Sequence, residues 1–393
     1  MSGILPTPGR SSANQVVCVG PTSDFDRAPF LVIWETTQAC DLACLHCRAE
    51  ARPCRDEREL TTDEARRLID DVRTFGPIVF VFSGGDCLKR PDIVELVAHA
   101  ARVGLRVGIT PATTALCSPA MIHALREAGL ARLAISLDGS NAAVHDAFRQ
   151  VPGSFDHGMR ILEEARRTGL STQVNTVIAS HNLDDFDELC ALMERLRIAL
   201  WEVFCLVPVG RASVDDLVGA EAMEAILHRL YDASRLAPFD IKVTAAPHYN
   251  RVVLERKRAE KRAGLRSEAS DVLTDGAAHS LRDGIGRGRN VNDGDGFLFV
   301  GHTGEIHPSG FLPISVGNVR TDDLVAVYRD HALLGQLRNR DLLVGKCRAC
   351  EYRLVCGGSR SRAWAVTGDP FESDPLCPYV PRGWVGAQLG EPA

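Results

Sequence analysis

The chain has no apolar run long enough to cross a bilayer, and it does not open with the charged-then-apolar layout of a secretory leader. Those two absences set the expectation of a soluble, cytoplasmic protein with no membrane partner. A basic excess is missing too: the formal net charge is −6, which argues against a nucleic-acid partner. No segment repeats at a fixed period, which excludes a solenoid. Core material is not scarce. Hydrophobic residues make up 45 % of 393, enough to exclude global disorder and to build a barrel with a smaller companion.

Cysteine is abundant, with 13 residues. Disulfides are rare in the cytosol, so clustered cysteines there read as metal or redox ligands. Seven fall into two groups: Cys40, Cys44 and Cys47, and Cys347, Cys350, Cys356 and Cys377. The other six, Cys18, Cys54, Cys87, Cys117, Cys190 and Cys205, stand alone and read as small buried hydrophobes.

Residues 1–28 are rich in Pro, Ser and Gly and read as a loose arm. Strand-like runs then recur: FLVIWE from Phe30, IVFVFS from Ile78, LRVGIT from Leu105, RLAISLD from Arg132, TQVNTVI from Thr172 and WEVFCLV from Trp201. Helix-period segments separate them, the first entered through a Thr N-cap in TTDEARRLIDDVRTF. Six strands alternating with helices imply βαβ units and a parallel sheet, closed into part of a barrel or left open. Strands apolar on both faces suit a sheet covered by helices. The loops at the strand C-terminal ends are then the place for a site. A helix, a strand DIKVTAA and a second helix follow. Next come a charged, Gly-rich stretch over about 266–295, a hairpin turning at HTGE, and the second cysteine group.

The loop CDLACLHC, Cys40–Cys47, follows the first strand with spacing C-x3-C-x2-C. Structural zinc wants four ligands, and an open coordination position is where a metal does chemistry. A zinc knuckle completed by His46 or Cys54 is the alternative on spacing alone.

With its neighbours, this loop resembles the signature of the radical S-adenosylmethionine (SAM) superfamily, and the likeness covers roughly residues 30–215. It implies an α/β fold built on a partial (β/α)6 TIM barrel, and a [4Fe–4S] cluster on Cys40, Cys44 and Cys47 whose open iron chelates SAM. Cleavage of SAM would give a 5′-deoxyadenosyl radical that abstracts hydrogen, chemistry that belongs to the cofactor while the protein supplies orientation and a dry cavity. SGGDCL after the second strand resembles the family's Gly-Gly-Glu motif and places Gly84, Gly85 and Asp86 at the SAM amino group. Cys87 stands where Pro is common. By the same likeness Thr113 and Thr114 line the cavity. Ser136 and Asp138 match positions touching SAM carboxylate or ribose, Asn175 a ribose contact, and Val207 an adenine neighbour, with Arg211 near the mouth. Taken singly, Ser136 and Asn175 could equally be strand-end caps.

CRACEYRLVC and DPLC give C-x2-C-x5-C-x20-C. Four thiolates can close a zinc site or a second [4Fe–4S] cluster. Behind a radical SAM core, this tail resembles SPASM or twitch extensions that carry auxiliary clusters. Ser309 and Ser359 stand where many relatives have cysteine, so one auxiliary cluster is expected. The domains implied are an arm (1–28), the core (29–235), a linker and mobile loop (236–295) and the auxiliary-cluster domain (296–393). GEIHPSGFLPISVGNVR and the final cysteine run are similar to the enzymes that trim tetrapyrrole side chains in alternative heme and heme d1 synthesis. A propionate on such a substrate needs cations, and Arg149, Arg211, Arg287 and Arg289 are the candidates. The partners implied are a small-molecule or peptide substrate and a reducing electron donor such as flavodoxin or ferredoxin. Maturation of a ribosomally made peptide is the second reading, and a zinc-stabilised α/β binding protein the rival from another class.

Overall fold

A computed structural model describes residues 24–264 and 291–385. The arm up to residue 23, Cys18, most of the 266–295 stretch, Arg287 and Arg289 lie outside the described residues. Strands β1 (Leu31–Glu35), β2 (Val79–Ser83), β3 (Arg106–Ile109), β4 (Arg132–Ser136), β5 (Ser171–Ile178) and β6 (Leu200–Cys205) pair in parallel, in chain order. They are the six strands expected, with boundaries shifted by one or two residues. A seventh, β7 (Asp240–Thr244), continues the parallel sheet beyond β6. On the opposite edge, β8 (Phe297–Val300) runs parallel to β1, followed by antiparallel β9 (Glu305–His307) and β10 (Gly317–Asn318). One sheet therefore crosses both of the boundaries drawn at 235 and 295.

Helices α1 (Thr62–Thr74), α2 (Ile93–Arg102), α3 (Pro119–Glu127), α5 (Ser154–Thr168), α6 (Phe186–Arg195) and α7 (Ala220–Leu236) cover one face of the sheet. Helix α4 (Ala142–Arg149) precedes α5 in the same β4–β5 connection. Thr61 caps α1 and forms a capping box with Glu64, and Ser118 caps α3 with Pro119 at its first turn. The core lies between sheet and helices: Val32, Trp34, Phe80, Phe82, Val174 and Trp201 meet Leu68, Ile69, Leu96, Leu125, Phe186 and Leu189.

The other face departs from the expectation of strands apolar on both sides. In β5 burial alternates strictly, with Thr172, Val174, Thr176 and Ile178 buried and Gln173, Asn175 and Val177 half-exposed. The same face carries Glu202, Lys242 and Thr244. An open barrel does not fill its lumen with side chains, so its inner face can be polar. Helix α4 escaped the sequence reading because its eight residues are too few for a clear period. The tail adds α8 (Tyr249–Arg262), α9 (Leu324–Asp330), α10 (Ala332–Arg338), α11 (Gly345–Ala349) and α12 (Arg360–Thr367). Among the described residues no helix is long and apolar enough to cross a membrane.

Candidate active site

All strand C-terminal ends of β1–β7 open on one side, and the cysteine loop lies across them. It is tied at its base by Cys40 N–H donating to the Arg52 carbonyl at 2.7 Å and Arg52 N–H to Gln38 at 3.0 Å. The turn after β2 packs directly on its lead-in. Gly85 N–H donates to Thr37 and Asp86 N–H to Ala39, at 2.8 and 2.6 Å. A Cβ at Gly84 or Gly85 would collide with the backbone of Thr37, Gln38 and Ala39. The glycines are thus required by the approach of the cysteine loop itself. From the far side, Gly210 (φ +66°) leaves no room for a Cβ against Cys47 and Arg48, and Arg211 N–H donates to the Cys47 carbonyl at 3.1 Å.

Asp86 was expected at the amino group of a ligand. Its carboxylate is instead fully buried and spent inside the protein, accepting from Thr114 Oγ1 at 2.6 Å and Leu88 N–H at 3.1 Å. Burial pushes its pKa up, and these donors offset only part of that. The role that emerges is to lock the β2 and β3 turns together. Leu88 is capped by it, which explains how Cys87 replaces a proline without loss of the turn. Cys87 itself points into the core.

Asp138 and Arg149 also differ from expectation. The expected substrate-facing arginine has a side chain only 13 % exposed, and it pairs with Asp138 at 2.5 Å while a second N–H reaches Cys44 Sγ at 3.6 Å. Asp138, fully buried, accepts from Val177 N–H at 2.8 Å and has His46 Nε2 at 3.8 Å. Burial opposes its ionisation, but Arg149 and then His46 outweigh this and hold the carboxyl below its usual range. Burial also keeps His46 neutral, with its pKa near 3. The His46 ring stacks on Phe148, which stacks on His181. These residues form a wall behind the loop. Since α4 carries both Phe148 and Arg149, missing that helix meant missing the wall.

Ser136 and Asn175 face each other across β4 and β5, and the row continues in register through Glu202 and Lys242. Glu202 accepts from Lys242 Nζ at 2.7 Å, Thr244 Oγ1 at 2.6 Å and Gln173 Nε2 at 2.8 Å. Thr113 and Val207 are buried. Arg211 is exposed at the rim. Sequence reasoning missed the Glu202–Lys242 end of this row. The signal available was a charged residue in the middle of each otherwise apolar strand. It also missed Glu35, where burial opposes ionisation but Arg48 (2.7 Å) and His302 (3.1 Å) prevail and lower its pKa.

The second cysteine group converges. Cys347, Cys350, Cys356 and Cys377 line one cavity, together with His248, Arg251, Lys346, Tyr352 and Tyr379. Ser309 and Ser359 are bound up in hydrogen bonds. Asp293 takes the Ser309 hydroxyl on one oxygen and Ser361 N–H on the other, and Ser359 caps α12.

Six of the seven grouped sulfurs accept N–H bonds. Leu42, Ala51, Tyr352 and Gly358 donate backbone N–H to Cys40, Cys47, Cys350 and Cys356, each at 3.4 Å. Arg149 and Arg360 reach Cys44 and Cys347 at 3.6 and 3.9 Å. By contrast, the isolated Cys205 packs in the core and gives its own S–H to Met223 Sδ. Donors aimed at sulfur stabilise the thiolate, which is the form that binds metal. Among the described residues no three His, Cys, Asp or Glu side chains are grouped to hold a single metal ion, so what suits these thiols to a cluster is their sequence grouping and the donors on their sulfurs. Burial pushes the Cys40 and Cys377 thiols up to about 11.

A Radical SAM superfamily profile matches residues 34–193. The AdoMet-dependent heme synthase of Nitratidesulfovibrio vulgaris is 39 % identical over 367 residues, spanning 92 % of this chain and 96 % of that protein. The chain belongs to the radical SAM superfamily. It is a radical SAM enzyme, and the family implies a [4Fe–4S] cluster and SAM. That sets aside the zinc-stabilised binding protein. Mycofactocin maturase MftC of Mycolicibacterium smegmatis is 35 % identical over 366 residues, covering 91 % of this chain and 84 % of that one. Among solved structures, Streptococcus suis SuiB bound to S-adenosylmethionine shares the fold, with a TM-score of 0.66 at 16 % identity over 90 % of this chain and 78 % of SuiB.

Proposed function

We propose that this radical SAM enzyme abstracts hydrogen from the side chain of a tetrapyrrole of the heme-precursor class. The observation that carries the reading is the 39 % identity to a heme synthase along nearly the whole of both chains, tail included. Cys40, Cys44 and Cys47 hold the SAM-binding cluster, and Cys347, Cys350, Cys356 and Cys377 hold an auxiliary [4Fe–4S] cluster. The cluster and SAM together supply the hydrogen-abstracting radical. The chain's own residues do the rest. Gly84, Gly85 and Asp86 brace the cysteine loop and present their turn to the methionyl end of SAM. Thr113, Ser136, Asn175 and Val207 line the nucleoside end, and Asp138 fixes Arg149 behind Cys44. With Arg149 committed, Arg211 is the candidate arginine left among the described residues to meet a substrate carboxylate at the rim. Its guanidinium has no partner among the described residues. A flavodoxin or ferredoxin, in a cytoplasmic setting, supplies electrons.

The second reading, maturation of a peptide, is favoured by the 35 % identity to MftC. One experiment separates the two. Reduced enzyme with SAM is offered iron-loaded and metal-free coproporphyrins in one set and peptides encoded beside the gene in another, and masses are compared. A porphyrin product of lower mass supports the first reading. A modified peptide with unaltered porphyrins overturns it.

A further inference from the structure

Three cations line the four-cysteine cavity, and they are not equivalent. Lys346 gives its Nζ to the Cys377 carbonyl, and Arg353, about a third exposed, pairs with Asp341. Arg251 is 3 % exposed. It comes from α8, which follows β7 and so hangs from the barrel sheet, not from the tail that supplies the thiols. Glu224 holds its Nη2 with both carboxylate oxygens at 2.6 Å, Glu255 takes Nη1 at 2.8 Å, and the guanidinium lies 4.9 Å from the centre of the Tyr379 ring. Those clamps fix the plane of the group. They leave Nε–H, a buried donor, without a partner, as are Arg353 Nε and both ring nitrogens of His248 on the same cavity; of the two arginines, Arg251 is the one whose side chain is almost wholly buried. Leaving a buried donor unmade is costly, the more so for a charged group. An arginine held rigidly with one unpaired N–H at the edge of a thiol-lined cavity is built to donate into it.

We infer that Arg251 is a positioning residue for the auxiliary site, donating Nε–H to the cluster held by Cys347, Cys350, Cys356 and Cys377 and raising its reduction potential. The inference rests on the reading above, that this cavity holds an iron–sulfur cluster. Its physical basis is simple. Reduction adds one electron and no proton, so the cluster becomes more negative. A fixed N–H donor hydrogen-bonded to it stabilises the reduced form more than the oxidised one. Because guanidinium does not deprotonate, the effect is present at every working pH. It makes the tail cluster the better electron acceptor of the two, suited to take an electron from a substrate radical formed in the barrel.

The test is a potentiometric titration of the holoenzyme followed by electron paramagnetic resonance, with iron and zinc counted first. In Arg251→Gln, reduction of the tail cluster should become about tenfold less favourable, a fall of ~59 mV for a one-electron couple. The barrel cluster, and cleavage of SAM, should not change. Arg251→Lys keeps the charge and should show a smaller fall in the same direction. An unchanged tail potential in Arg251→Gln at full iron content overturns the inference. If the glutamine variant loses its tail iron, the lysine variant carries the test, and an unchanged potential there overturns the Nε–H bond. Zinc in the wild-type tail, or a single cluster in the whole chain, fails the underlying reading and the inference with it. That result is distinguishable because it appears in the metal count, before any variant is made.

Discussion

The two cysteine groups treat their sulfurs alike and their charges differently. Six of the seven sulfurs accept an N–H, three of them from backbone two residues on. Around Cys40, Cys44 and Cys47, however, the nearest cation, Arg149, is neutralised by Asp138, and Asp86 adds negative charge beside Cys40. Around the tail thiols, Arg251 and Arg353 are paired with carboxylates in the same way, but Lys346 and Arg360 also stand there, held by backbone carbonyls and Cys347 and not by an acid. On the function proposed above, a cluster in the first setting would have little to stabilise an added electron, which suits the strong reductant that cleavage of SAM requires. A cluster in the second is easier to reduce. One ligand type can thus serve two electron-transfer roles, with the choice made by charges beyond the sulfurs.

The largest effect should come from breaking the first group. Cys40→Ala, Cys44→Ala and Cys47→Ala should each abolish 5′-deoxyadenosine formation while the tail keeps its iron. Wild-type cleavage of SAM in any one of them removes that residue from the ligand set. Breaking the second group tests separability. In the double variant Cys347→Ala/Cys350→Ala, one cluster should be lost and SAM still cleaved, but substrate product should disappear. Full product formation would reduce the tail site to a structural one.

Arg149→Met sharpens the contrast from the barrel side. It leaves Asp138 as a buried charge without its main partner, which should cost about 3–5 kcal/mol of stability in chemical unfolding. The wall behind the loop should loosen with it, seen as faster loss of barrel iron to a chelator. Asp86→Ala orphans Thr114 and Leu88, and about 1–3 kcal/mol should be lost. Weaker SAM binding at intact iron content is expected alongside, because the turn it locks is proposed to meet the methionyl end. Unchanged stability and unchanged SAM affinity would together refute that role.

The smallest effect lies at the surface bridge between barrel and tail. Arg320 of the tail hydrogen-bonds Glu64 at the start of α1, and lowers the Glu64 pKa from 4.5 to about 2. A lowered folded-state value stabilises the protein above the unfolded pKa and is lost as pH falls from about 4.5 towards 2. Glu64→Gln should therefore be slightly less stable than wild type near neutrality, and the two acid-unfolding curves should merge below about pH 2. The pair is largely solvent-exposed, so the difference should be small.

Much of this molecule was readable along the chain. The six strand–helix units, the N-cap at Thr61 and the seven grouped cysteines are local patterns. Spacing on a loop and period in a strand survive whatever the chain does elsewhere, which is why they could be read without coordinates. Pairing partners could not be read that way. Nothing local to Asp86 says that Thr114 will take its carboxylate, and nothing near Arg149 says that it will turn to Cys44 and Asp138 instead of a substrate. Nothing in a tail strand of four residues says that it will add to β1 and make one sheet of barrel and tail. Arg251 stands almost 100 residues from the first tail thiol, on a helix that reads as ordinary. Each of these depends on which surfaces meet when the hydrophobic core closes. A buried charge takes the partner that closure puts within hydrogen-bond reach, and only the tertiary structure decides which one that is.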